Sequence, residues 1–176
     1  MTHLSHSSQT PGITVTTAVL PVDHVKISTP KPYADVKAAL ESRLGRLDDT
    51  IRNLLKKNEM DAVRAALQKA AGEDGLAIHY VGPHGDWLAL QGERRNATAY
   101  LIGNVLYAVQ MTSIDLAAGL YAPLRVVLYE NAEGGSTFEY DKPSTQFGQF
   151  GQPEIDRVAA ILDERLHSVL VQVGTP

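Results

Sequence analysis

The sequence predicts an α+β fold, a mainly antiparallel sheet with helices packed on one face, in a single domain. Three observations carry that expectation. Helical periodicity gathers in two blocks, residues 33–71 and 154–171; the chain between them reads as hairpins of period two; and no Gly-rich strand-to-helix turn marks a doubly wound unit. A chain of 176 residues, 44% hydrophobic and 20% charged, has room for one core that buries roughly 70% of its unfolded surface. Its 14 Gly and 9 Pro lie near the background for folded proteins and exclude collagen-like and low-complexity classes.

Residues 1–11, rich in Ser, Thr and His, read as a disordered tail before the domain at 12–176. The first basic side chain is Lys26, so the opening lacks the positive n-region of a signal peptide. The most apolar stretch, Tyr100 to Met111, is interrupted by Gly103, Asn104 and Gln110 and is too short to span a bilayer. The expectation is a soluble, cytoplasmic protein without a membrane partner.

Ile13, Val15 and Thr17 alternate with Thr, and Val25 to Ile27 adds a second extended piece. After Thr29 to Pro32, the spacing of Val36, Leu40 and Leu44 makes an amphipathic helix that stops at Gly45. A second helix carries Ile51, Leu54 and Leu55; a third opens at Asn58, carries Met60, Val63 and Leu67, and stops at Gly72. The three are expected to form one helical layer on the sheet. Leu76 to Val81, the turn Gly82 to Gly85 and Trp87 to Leu90 read as a hairpin. Thr98 to Ile102 is a strand, and Val105 to Met111 favours helix. Leu124 to Tyr129 and Thr137 to Tyr140, joined over 131–135, make the clearest hairpin. Pro153, with Glu154 and Asp156 behind it, starts a last helix striped by Ile155, Val158, Leu162, Leu166, Val169 and Leu170. The uncovered face of the sheet must be wet, closed by a second subunit, or lined around a ligand.

Composition narrows the chemistry. With 16 Lys+Arg against 20 Asp+Glu and a net charge of -4, nothing global grips a phosphate backbone, so nucleic acid is not an expected partner. Zero Cys removes disulfides, thiolate nucleophiles and Cys-ligated metal, and agrees with a reducing compartment. No nucleophile elbow, phosphate-binding loop or His-Glu-x-x-His helix is present.

If 131–135 is a five-residue loop, Glu130 lies opposite Ser136, Val127 opposite Glu139 and Arg125 opposite Asp141, whereas a four-residue loop would shift the register by one and dissolve the Arg125–Asp141 pairing. One face is then core: Leu124, Val126, Leu128, Phe138 and Tyr140. The other gathers Arg125, Tyr129, Glu139 and Asp141 around Val127, either to orient a polar ligand or hold a general acid, or simply as an Arg125–Asp141 pair on a half-wet face. If that pair is semi-buried, removing Arg125 should cost more stability than removing Arg94. His84 and Asp86 flank Gly85 in a turn and are candidate acid-base residues, though a polar turn with Asp86 bonding local backbone is the plainer explanation; no third ligand accompanies them, so no metal site is expected. His79 between apolar neighbours reads as a core residue, and Arg94-Arg95 as a solvated loop that could grip an anion.

The stretches Tyr100-Leu101-Ile102-Gly103-Asn104, Gln110-Met111-Thr112, Leu120 to Glu130 with Pro123-Leu124-Arg125, and Phe138 to Ser144 with Tyr140-Asp141-Lys142-Pro143 resemble the domain of unknown function 302 family. The resemblance covers residues 75–171, matches 23–45 in pattern, and is nearest to a longer variant whose extra helices account for 47–72. Two departures stand out: Val105 replaces the Pro usual after Gly-Asn, and Ile114 stands where the variant carries His in Met-Thr-x-His-Asp. The resemblance implies an α+β fold, a homodimer and no agreed activity. The positions that match its pattern, Gly103, Asn104, Arg125, Tyr140 and Asp141, join Tyr129 and Glu139 as the candidate ligand-binding set.

The expected function is a small-molecule-binding or accessory protein, a homodimer without catalytic motif and with no cofactor named by its sequence. One alternative is an enzyme using His84, Asp86 or Asp141 on a small acidic or polar substrate, with Arg125 or Arg94 orienting it. The other is a structural homo-oligomer without a ligand.

Overall fold

Three consecutive strands between residues 97 and 141 carry apolar side chains on every second position, and the sheet is built outward from them. The computed structural model describes the backbone of residues 6–10 and all of residues 12–176. The elements run β1 (His6–Thr10), β2 (Ile13–Thr17), β3 (His24–Thr29), α1 (Tyr33–Arg43), β4 (Gly45–Arg46), α2 (Asp49–Lys56), α3 (Met60–Ala71), β5 (Ala77–Gly82) and α4 (His84–Trp87). They continue with β6 (Ala97–Gly103), α5 (Val105–Thr112), β7 (Leu124–Glu130), β8 (Ser136–Asp141), α6 (Pro143–Phe147) and α7 (Pro153–Gly174). Strands β1 and β2 pair by themselves; the other six form one sheet in the order β3-β8-β7-β6-β5-β4, antiparallel except for the β4–β5 pair. The fold is α+β, as the periodicity predicts.

Of the tail expected over residues 1–11, residues 1–5 and 11 lie outside the described residues. Residues 6–10 form β1 rather than loose chain, because Gly12 takes φ +79° and reverses the backbone onto the Thr-rich β2.

The core lies between one face of the sheet and two helices. Val36 and Leu40 of α1 and the stripe of α7 close over Tyr100, Ile102, Leu128 and Phe138. Leu166 and Leu170 are fully buried, and cutting either to Ala costs about 2–5 kcal/mol.

Three expectations are corrected. Trp87 to Leu90 does not return as a strand: α4 ends at Trp87, a 3-10 turn spans Leu88–Gln91, and β5 pairs with β6. The reason is Gly85, whose bare Cα lets the chain lie against the Arg95 and Ala97 backbone, so β6 with its β-branched and aromatic residues takes the central place. Second, α3 opens at Met60 rather than Asn58, since Asn58 adopts a left-handed φ of 61° that no helix interior accepts. Third, α1 to α3 do not form one layer. Only α1 joins the main core; Ile51, Val63 and Leu67 of α2 and α3 build a separate cluster against Val105 and Leu106 of α5. Among the described residues no helix is long and apolar enough to cross a membrane.

Candidate functional site

The outer face of the sheet carries the polar patch that register counting anticipates. Glu130 pairs with Ser136 and Val127 with Glu139, so Arg125, Tyr129, Glu139 and Asp141 share one face. The Tyr129 hydroxyl donates to Oε1 of Glu139 at 2.5 Å. Strand β3 completes the patch from the other side of β8, with His24 opposite Asp141 and Lys26 opposite Glu139. The His24 ring reaches both carboxylates, Nδ1 to Asp141 and Nε2 to Glu139, each at 3.0 Å. Lys26 Nζ stands 3.7 Å from Glu139.

Arg125 is the weak member. Its guanidinium is 3.8 Å from Asp141 and its side chain 75% exposed, so the pair contributes at most about 1 kcal/mol. The group that holds Asp141 is His24, at 3.0 Å, and the expectation that losing Arg125 strands a semi-buried carboxylate is corrected accordingly. Sequence reading missed His24 because its partner strand lies 117 residues away. The available signal was the alternation of His24 and Lys26 with Val25 and Ile27, which marks a polar face.

Electrostatics close this network on itself. The bond from Tyr129, then that from His24, holds the Glu139 carboxyl below its usual range, while the same Tyr129–Glu139 bond raises the phenol. Bonds to Asp141 and then Glu139 raise His24 above 6.5. Glu139 is therefore a charged acceptor and Tyr129 a protonated donor at neutral pH, and His24 is the group of the patch able to give up a proton there.

A shallow concavity of 450 Å³ lies over Ala99, Leu101 and Val127, edged by His24, Arg125, Glu139 and Asp141, with Tyr80 and His84 on its rim. His84 thus reaches the patch. Asp86 does not: it borders a different depression with Arg94, Arg95 and Glu130. Tyr140 is buried with the core, its hydroxyl 3.3 Å from Nδ1 of His167.

Gly103 and Asn104 also stand apart from the patch. Asn104 caps α5, accepting from the Leu106 amide at 2.8 Å and donating to the Gly75 carbonyl at 2.9 Å, so it ties the helix start to the chain ahead of β5. A Cβ on Gly103 would come within 3.2 Å of Pro123, which explains the small residue there. The end of the Tyr140-Asp141-Lys142-Pro143 run is structural: Pro143 opens α6, and Asp163 of α7 accepts from the Ser144 amide at 2.9 Å. Asp115, next to Ile114, caps the following 3-10 turn. Gly103 and Asn104 border a 220 Å³ apolar recess with His79, Met111 and Leu162. His79 sits at a bulge between Ile78 and Tyr80, and burial lowers its pKa, with the Gly103 backbone opposing and Arg52 assisting.

A larger cavity lies elsewhere, a groove of 910 Å³ between α2, α3 and α5. Its floor is Ile51, Val63 and Leu67; its edges include Leu55, Met60 and Val109, which are 55%, 47% and 56% exposed. Arg52, Arg64, Arg165 and Glu73 also line it. The apolar spacing of α2 and α3 was legible, but it reads as sheet-facing until the two helices are seen to pack on α5. Among the described residues no group of three or more His, Asp or Glu side chains is placed to hold a metal ion.

Residues 53–173 match the family described as Domain of unknown function DUF302. The chain is similar in structure to an uncharacterized conserved protein DUF302 from Bacillus stearothermophilus, with a TM-score of 0.59 and 16% identity over 86% of this chain and 98% of that one. At that identity the likeness is one of fold. No curated protein matches the chain.

Proposed function

The chain belongs to the DUF302 family, and we propose that it is a binding protein for a small, largely apolar molecule held between α2, α3 and α5. The groove itself carries this reading. Its 910 Å³ lies in the range of roughly 300–1,000 Å³ typical of ligand pockets, and its apolar floor with polar groups at the margin is the usual composition of one. Acid-base catalysis by His84, Asp86 or Asp141 has less support, because Asp86 borders a different depression and the Asp141 carboxylate is already engaged by His24. A homodimer remains part of the proposal, with the half-buried Ala99, Leu101 and Val127 strip as the surface open to a second copy. Zero Cys supports a reducing, cytoplasmic setting.

A second reading places a small polar ligand in the 450 Å³ concavity, favoured by the convergence of His24, His84, Arg125 and Asp141 on its rim. Native mass spectrometry of freshly purified protein, beside its denatured mass, separates the two and reads the oligomeric state. Val109→Trp fills the groove at an exposed position, and Arg125→Glu reverses the charge of the concavity. Retained mass lost in Val109→Trp supports the groove; loss in Arg125→Glu alone supports the sheet face. No retained mass, together with no binding of an apolar fluorescent probe, overturns the binding reading.

A further inference from the structure

Resting on the groove reading, the geometry points to a ligand class: an amphipathic monoanion, whose apolar body lies on Ile51, Val63 and Leu67 and whose single acidic head pairs with Arg64. The first support is charge. In a chain of net charge -4, the groove is lined by three arginines and one glutamate, a local excess of positive charge.

The second support is how those arginines are used. Arg165 is anchored: its guanidinium donates to the Asp74 carbonyl at 2.7 Å and sits 5.8 Å from the Tyr107 ring centroid. Arg52 is shared with Asp49 at 2.9 Å, one helical turn away on α2. Arg64 has no carboxylate partner among the described residues. It lies on the same face of α3 as Leu67, Gln68 and Ala71, which line the groove with it. A guanidinium left unpaired beside an apolar trough is matched by a carboxylate, which takes two parallel N–H bonds, and one free guanidinium neutralises one charge.

The test uses 11-(dansylamino)undecanoic acid and its methyl ester, two probes of nearly equal apolar body that differ in one charge. Wild-type protein should bind the acid about tenfold tighter than the ester, the size of one charge-assisted hydrogen bond at a partly wet site. Arg64→Gln should bring the two within about twofold by lowering affinity for the acid alone, and Arg64→Lys should restore part of the preference. Arg157→Gln, an exposed cation on α7 outside the groove, should leave the preference intact. Equal affinity of wild-type protein for acid and ester overturns the monoanion while leaving the groove reading standing. Binding of both probes undiminished by Val109→Trp, or binding of neither, overturns the groove reading itself.

Discussion

The Nε2 atom of His24 lies 3.0 Å from Oε2 of Glu139, joining residues 115 positions apart across the β3–β8 ladder. Because Nδ1 faces a second carboxylate, that of Asp141, both ring nitrogens meet acceptors, and an imidazole satisfies two acceptors only by carrying both protons. The arrangement therefore favours the imidazolium. His79, in its apolar recess, is driven the other way, and the two histidines respond to pH with opposite sign.

For His24, the folded pKa is raised above 6.5, so its stabilisation is complete below pH 6.5 and is lost as pH rises through the folded value. Proton NMR of the His24 ring should give a titration midpoint above 6.5 in wild-type protein. In Glu139→Gln the midpoint should fall, since one charged acceptor is gone. A wild-type midpoint at or below 6.5 contradicts the doubly bonded ring.

For His79, burial depresses the folded pKa, so its contribution is present above pH 6.5 and is lost as pH falls through the folded value. Its NMR midpoint should lie below 6.5. Thermal melts of His79→Gln between neutral pH and pH 5 should show a smaller acid-side loss than wild type, and an unchanged loss would remove His79 as a source of acid sensitivity.

Asn104 and Arg125 both belong to the family-like motifs, yet their substitutions should differ. Asn104→Ala removes a helix cap and leaves the Gly75 carbonyl without its donor, for about 1–2 kcal/mol. Arg125→Ala deletes a mostly exposed side chain with one long contact and should stay within about 0.5 kcal/mol, as should Arg94→Ala. Urea unfolding measures all three, and an Arg125→Ala cost equal to that of Asn104→Ala would mean that Asp141 depends on Arg125 after all.

Gly85→Ala puts a Cβ 1.7 Å from the Arg95 carbonyl oxygen, a backbone atom that cannot step aside, and should cost about 3 kcal/mol or more. Gly148→Ala meets nothing within 4 Å at a helical φ of -60°, and should be neutral or stabilise by up to about 1 kcal/mol. The paired melting temperatures check whether Gly85 is what keeps Trp87 to Leu90 from returning as a strand.

Local pattern alone was enough for the elements whose partners are near in sequence. The register of β7 on β8 follows once the loop is five residues long, and that loop length places Arg125, Tyr129, Glu139 and Asp141 on one face. The stripe from Ile155 to Leu170 likewise identifies a core helix, and Val105 to Thr112 folds as the helix its composition favours.

What tertiary structure decided is which surface covers which. Periodicity says that Ile51, Val63 and Leu67 face something apolar, but their closure against α5, which opens the groove, is a matter of packing between distant segments. The same holds for His24: alternation marks β3 as having a polar face, and only the pairing of β3 with β8 turns that face toward Glu139 and Asp141. Side-chain direction is fixed within a few residues by backbone geometry, so sequence alone determined the faces; the choice of neighbour is made by burial summed over the whole chain, and it was made in the fold.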